Sequence, residues 1–465
     1  MLTGAALAEA VAGFFAGRKV VVVTPCLSYC PPLLAALDRF GAAPPFVVAG
    51  SAGPDRAGAL AEAPIAGLHL VPMGGGSHTA VARATEGLLA NPPAALRAAL
   101  DRYDPQATAL VLAETNVSRS HLGGRRIVDS IPEDWWGLLT GEDQSAPWAS
   151  LGVSGAPSGM VPTTPEDLAA AHERYDFGHG TVWHADHRST VHVATDEARL
   201  VQDGASFGRA VRWAQTGGPQ VRVTTFVEGL PLALNGIVLP TGTVALRPGE
   251  ELLYRQGDRL RFAGCSLYYS PGPADLERLR QLVVGIGDQL ADRAGFRGAF
   301  SVSGTLRAAG FLPYSLSLRP GPAHALLSRH LPGVPIRLLQ AALMAGHDVA
   351  VTAADLERDL RGPLDADPGA AIMLHSRAAP REEKKVLWLT RESQRIRPTR
   401  GSDRSAACLI YSRNGDLGGF VSLLAGPGFL AADTPAAPHV AAAMALADEH
   451  WEAGIGPLTP VARRF

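Results

Sequence analysis

Lysine is the residue whose placement most restricts the chemistry open to this chain. Of 42 lysines and arginines only three are lysine: Lys19, Lys384 and Lys385. Residues 20–383 therefore offer no amine for a Schiff base, no P-loop lysine and no lysine clamp for nucleotide phosphates. Four cysteines, Cys26, Cys30, Cys265 and Cys408, are too scattered for a disulfide framework or a cysteine zinc site, which fits a reducing cytosol. Cys26 and Cys30 follow a strand and read as buried small hydrophobes. His179, His184, His187 and His192 surround Asp186, and His184 and Asp186 share a strand face. Such side chains could ligate a transition metal, but their spacing matches no known site and a polar turn accounts for them. Gly74-Gly-Gly-Ser77 lies between a strand and a helix, where backbone amides could cradle an anion. It lacks the GxxxxGK[ST] and GxGxxG spacings, so a tight turn is sufficient explanation.

The elements that must hold these residues begin with α/β alternation. Val20 to Val23 is a continuous β-branched run, as in a parallel strand buried on both faces. Strands are expected at Pro45–Val48, Leu68–Val71 and Ala107–Leu112, with helices at Pro32–Phe40 and Ala94–Tyr103. Short strands follow at Thr181–His184, Thr190–Val193, Val221–Phe226, Leu234–Leu239 and Thr243–Leu246. Leu276, Leu279, Leu282, Val283, Ile286 and Leu290 fall at helical spacing within Ala274–Ala294, and Gly295 ends that helix. Ala299–Val302 and Phe311–Arg319 read as a hairpin. A third region carries strands at Val386–Leu389 and Cys408–Tyr411 and a last helix at Ala436–Gly454. These boundaries divide the 465 residues into 1–115, 116–335 and 336–465, about the number of domains that length predicts.

Composition removes several functions. The formal net charge is −2 and charged residues are 18%, without the basic excess of a phosphate-backbone binder. No run of 18 apolar residues occurs, so no membrane span is expected. Arg18 and Lys19 follow the first apolar run rather than precede it, so Met1–Val20 reads as an amphipathic helix and not a leader. A cytoplasmic protein is the expectation.

One ordered series of short motifs remains. It runs Thr181-Val-Trp-His184, Arg222-Val-Thr-Thr-Phe-Val-Glu-Gly229, Leu246-Arg-Pro-Gly-Glu250, Gly295-Phe-Arg-Gly-Ala-Phe-Ser-Val302 and Gly310-Phe-Leu-Pro-Tyr-Ser-Leu-Ser-Leu-Arg319. In that order it resembles the ATP-grasp enzymes of the carboxylate–amine ligase class, and most of all actinobacterial relatives with the patterns GTVW…D.R, RV..F.EG.P, LRP.E…R, G.RGAF.VDG and GF.PTELNPR. The resemblance covers residues 1 to about 330. It implies an α/β N-terminal pre-ATP-grasp domain with a parallel sheet over 1–115, α+β ATP-grasp lobes over 116–335, and a small C-terminal α+β region over 336–465. It also implies ATP and Mg²⁺ as cofactors, an acyl-phosphate route to a peptide-type bond, and small carboxylate and amine substrates.

Residue by residue, the resemblance places Arg319, Arg247 and Arg255 in the catalytic set, Arg319 as a bidentate partner of phosphate or carboxylate. Glu228 falls near adenine and ribose. Glu250, Arg188, Asp186 and Gln144 also fall at nucleotide-contacting positions, with Gln144 in place of the lysine of an EDK segment and Arg188 standing in for a missing lysine. Arg297 matches the arginine of G.RGAF; capping of the preceding helix is its plainer role. The chain departs from the pattern at the metal. Ser303, Ser315 and Ser317 occupy the three ligand positions, and neutral hydroxyls hold Mg²⁺ far less well than carboxylates do. Two readings follow: a ligase, or a degenerate ATP-grasp protein that binds a small molecule or a partner ligase without turnover. A homodimer is equally open, and neither nucleic acid nor membrane is an expected partner.

Overall fold

A computed structural model of the chain describes all residues except 1, 28–29, 53–63, 73–77, 115–118, 131–147, 150–151, 186–197, 328–333, 367, 377–379, 381–383, 393–394, 401–406, 414–418, 427, 432 and 463–465. The N-terminal layer contains α1 (Leu2–Phe15), β1 (Val20–Cys26), α2 (Pro31–Arg39), β2 (Phe46–Ser51), β3 (Gly67–Leu70), α3 (His78–Ala90), α4 (Ala94–Tyr103) and β4 (Leu110–Ala113). The short pair β5 (His121–Leu122) and β6 (Arg125–Arg126) follows. The sheet is parallel in the order β3-β2-β1-β4. Its valine run is explained by cover on both faces. Val20 and Val22 pack with Leu7, Phe15 and Leu34, whereas Val21 and Val23 pack with Leu88, Leu96 and Leu100. Thr24-Pro25 does not end β1 as expected, since the strand reaches Cys26.

A smaller lobe is built from β7 (Ser158–Pro162), α5 (Pro165–Tyr175), β8 (Thr181–Ala185), β9 (Ala198–Val201), α6 (Gly204–Gly217) and β10 (Gln220–Thr225). Thr164 caps α5, and Asp203 closes a capping box with Ser206 on α6. Leu168, Trp183, Val201, Ala210, Val221 and Val223 form its core. The chain then crosses Phe226–Gly229 into a larger lobe. That lobe contains β11 (Leu230–Leu239), β12 (Gly242–Ala245), β13 (Gly249–Gln256), β14 (Arg259–Ser266), α7 (Pro273–Ala294), β15 (Gly298–Arg307), β16 (Gly310–Ser317) and α8 (Pro322–Leu327). Leu279, Val283, Ile286 and Leu290 of α7 pack on Leu234, Val302, Leu316 and Leu318, so one face of the β15–β16 hairpin is covered. Gly295 ends α7 in the left-handed conformation at φ 60°, which glycine adopts without a Cβ penalty.

The region from 336 onward divides between two places. α9 (Ile336–Met344) packs on α1 and β15, and α10 (Ala353–Ala366) on β12. The remaining strands, β17 (Ala370–Ser376), β18 (Lys384–Glu392), β19 (Arg395–Thr399), β20 (Ala407–Arg413) and β21 (Gly419–Ala425), extend the large-lobe sheet, because β17 pairs with β14. The sheet path runs β16-β15-β11-β13-β14-β17-β21-β20-β18-β19. α11 (Ala437–Trp451) covers it, and β22 (Thr459–Pro460) returns to β13.

Candidate functional site

The uncovered face of the β15–β16 hairpin is where the motif serines meet. Register pairs Ser303 with Ser315 and Ser301 with Ser317. Since side chains alternate along a strand, residues with Val302, Leu316 and Leu318 between them point away from α7. Ser303, Ser315 and Ser317 thus share one face, and Arg319 continues the alternation past the end of β16. Arg319 reaches water. Protein packed around it nevertheless desolvates the guanidinium and lowers its pKa to about 10. Among the described residues no carboxylate pairs with Arg319.

The acid on this face is Glu251. Ser303 Oγ donates to Glu251 Oε1 at 2.6 Å and the Tyr314 hydroxyl donates to Oε2 at 2.9 Å. Burial raises the Glu251 carboxyl above its ordinary pKa, against the two hydroxyl donors that lower it. An irregularity in the sheet aims Tyr314. The register slips between Ser303 and Gly304, which makes Tyr314 the extra residue on β16. A bulge re-aims the side chain it carries, and here it turns Tyr314 toward Glu251.

Glu250 is placed differently from its expected cofactor contact. One residue along a strand is the opposite face, and Glu250 lies with Leu252 and Tyr254 on the side that packs against α11. It is buried, and its two oxygens accept from the backbone amides of Ala436 at 2.6 Å and Ala437 at 3.0 Å. It caps a helix and has no oxygen facing the cleft. The stripe Leu252–Tyr254 is the signal that distinguishes Glu250 from Glu251; sequence reasoning passed over Glu251.

The other expected residues scatter. Arg247 forms an ion pair with Asp365 of α10 and lines a cavity of about 270 Å³ beside α7, together with Leu276, Arg280, Glu357 and Leu360. The charges there are satisfied internally, Arg280 by Glu357 at 2.5 Å and Arg361 by the same acid at 3.2 Å. The cavity adjoins the α7 side of the sheet, away from the serines, so Arg247 is a structural cation and not part of their face. Arg255 donates to Gln202 Oε1 at 2.8 Å and stacks over Phe226 at 5.2 Å, where the chain passes from one lobe to the other. Glu228 stands exposed in that same crossing, 3.6 Å from His179. Arg297 pairs with Asp348 at 3.1 Å on the surface and is placed to steady the start of β15. Gln144, Asp186, Arg188, His187, His192 and the Gly74–Ser77 turn lie outside the described residues. Among the described residues no group of three His, Cys, Asp or Glu side chains converges as around a metal.

The donor set on the serine face consists of oxygen alone: three hydroxyls, the Tyr314 phenol and one carboxylate. It suits a hard cation and no soft one. One carboxylate is the lower end of what Mg²⁺ takes from protein when phosphates supply the remaining charge. The residues fit that ion, with less anionic charge than three acids would bring.

No family model matches the chain, and no curated protein matches it in sequence. Solved structures match over nearly its whole length. Carboxyaminoimidazole ribonucleotide synthase from Aspergillus clavatus, complexed with ATP, superposes with a TM-score of 0.56 at 12% identity, covering 93% of this chain and 99% of that one. L-amino acid ligase from Bacillus licheniformis gives 0.55 at 10% identity, over 97% and 100%. The biotin carboxylase domain of the Hydrogenobacter thermophilus 2-oxoglutarate carboxylase, complexed with MgADP and bicarbonate, gives 0.52 at 13% identity, over 88% and 86%. This chain has the ATP-grasp fold.

Proposed function

We propose that this chain, an ATP-grasp fold, binds a nucleotide between its smaller and larger lobes and joins a small carboxylate to an amine. The observation that carries this reading is Arg319: an accessible guanidinium without an acidic partner among the described residues, on one face with Ser303, Ser315, Ser317 and Glu251. A planar fork of donors in a desolvated wall is suited to a phosphate or carboxylate, held by two parallel hydrogen bonds.

ATP, when bound, would supply the phosphoryl group that turns a carboxylate into an acyl phosphate, whose acyl carbon an amine can attack with release of inorganic phosphate. Arg319 binds and orients the anion. Glu228, exposed where the chain crosses between lobes, accepts hydrogen bonds from sugar hydroxyls. Arg255, fixed by Gln202 and Phe226, holds that crossing in shape. Lobes closing on the sheet face exclude water, which would otherwise hydrolyse an activated acyl group. A divalent cation would offset phosphate charge, so that a second anion can approach. It would be held by the oxygens that line this face.

Calorimetry with ATP and Mg²⁺ tests the reading. Arg319→Ala should weaken binding at least about tenfold, the worth of one charge-assisted hydrogen bond. Unchanged affinity would refute it. A second reading, binding without turnover, is favoured by the hydroxyls at 303, 315 and 317. It predicts nucleotide affinity indifferent to Mg²⁺ and no ADP from mixed carboxylate and amine pools.

A further inference from the structure

Position 303 is the place where charge is missing, and a carboxylate lies 2.6 Å from its hydroxyl. We propose that Glu251 carries the charge the resemblance assigns to position 303. The acid has moved from β15 to β13 and reaches the same spot from the side, as this cleft's cation-facing carboxylate. The inference rests on the nucleotide-cleft reading and deepens it.

Register places the two residues on one face. Ser303 is opposite Ala233, Ala233 is opposite Gly249, and Glu251 is two residues further along β13. Residues directly opposite, and residues two apart, point to the same side. The distance sets the two acids against each other whenever no cation bridges them. An aspartate at 303 would extend its oxygens about one bond length beyond the present Oγ, into the Glu251 carboxylate. Two carboxylates in contact cannot both stay ionised. A serine there instead donates to the acid. Ser303 and Glu251 are thus halves of one exchange, with Tyr314 swung in by its bulge as the second donor. Two donors leave about half of the carboxylate's lone-pair positions for another partner. Glu251 keeps some exposure to solvent, so another partner can reach it.

The test uses the full chain as Glu251→Gln, Ser303→Asp and the double variant, with circular dichroism as the check on folding. Mn²⁺ binding is counted by electron paramagnetic resonance with and without ADP, since phosphates supply charge that one carboxylate lacks, and ATP affinity is measured by calorimetry in EDTA and in Mg²⁺. Bound Mn²⁺ should fall at least tenfold in Glu251→Gln and return in the double variant. Ser303→Asp alone should lower the melting temperature, and adding Glu251→Gln should restore it. The gain in ATP affinity from Mg²⁺ should follow the same pattern, while affinity in EDTA stays level or improves in Glu251→Gln. Wild type without Mn²⁺, or a folded Glu251→Gln that holds Mn²⁺ as wild type does, overturns the inference. So does a folded double variant that fails to recover. Mn²⁺ bound through Glu251 in a chain that ignores ATP would leave the inference standing and remove the nucleotide reading.

Discussion

Glu250 should make this protein less stable as pH rises through neutrality. Its carboxyl is buried against α11, and desolvation raises its pKa from 4.5 to about 7, in spite of the amides of Ala436 and Ala437 that favour the anion. A group whose folded pKa is raised binds more protons in the native state than in the unfolded chain between those two values. Native stability is therefore fully present below about pH 4.5, declines as pH rises, and levels off above about 7. At about 1.4 kcal/mol per pH unit the gap amounts to about 3 kcal/mol. Other groups titrate in this range. His324, buried with Nε2 3.3 Å from Gly236 O, has its pKa lowered to about 4, and it pulls the opposite way as pH falls from 6.5. The clean quantity is the difference between wild type and Glu250→Gln. Glutamine keeps the shape and one acceptor oxygen of the protonated acid and cannot ionise. Urea unfolding at half-unit steps from pH 4.5 to 8 should show wild type losing about 3 kcal/mol relative to the variant. Parallel curves would show that Glu250 does not change its proton affinity on folding. A difference of the opposite sign would show that the helix amides outweigh burial, and the desolvation argument would fail.

Three other outcomes can be measured. Asp104 and Arg125 are both buried and meet at 3.0 Å in the N-terminal layer, so Asp104→Ala leaves a buried guanidinium with only the exposed Asp101, at 3.2 Å, as counter-charge and should cost about 3 kcal/mol in urea unfolding. Gly264 sits at φ 137° where β14 meets β17, and a methyl there would overlap Ala371 O. Gly264→Ala should cost about 2 kcal/mol or more and speed hydrogen exchange along β17. Arg247→Met should lower stability without changing ATP affinity, since the ion pair with Asp365 lies on the α7 side of the sheet; a loss of ATP binding without a loss of stability would return Arg247 to the site.

Much of this fold is legible in the sequence wherever one local pattern suffices. The valine run of β1, the heptad-like leucines of α7 and the Ala94–Tyr103 helix each announce themselves through period and capping. The β15–β16 hairpin is legible as well, because two apolar-polar runs flank a glycine turn. The strands β17 and β21 are not: they are short, mixed in pattern, and exist as strands through pairing with β14 and β20.

The sequence by itself determined that no lysine stands between residues 20 and 383 and that hydroxyls occupy 303, 315 and 317. These are facts of composition, and no folding alters them. It also determined that Ser315, Ser317 and Arg319 alternate on one side of a strand, since a period of two requires only local geometry, whereas Ser303 joins them through the register of the hairpin. Only the tertiary structure decided that Glu250 caps a helix 186 residues away while Glu251 faces the serines. Two adjacent glutamates are chemically identical in the chain. Which one meets a helix terminus and which a cleft depends on the register of β13 and on partners brought in from distant segments.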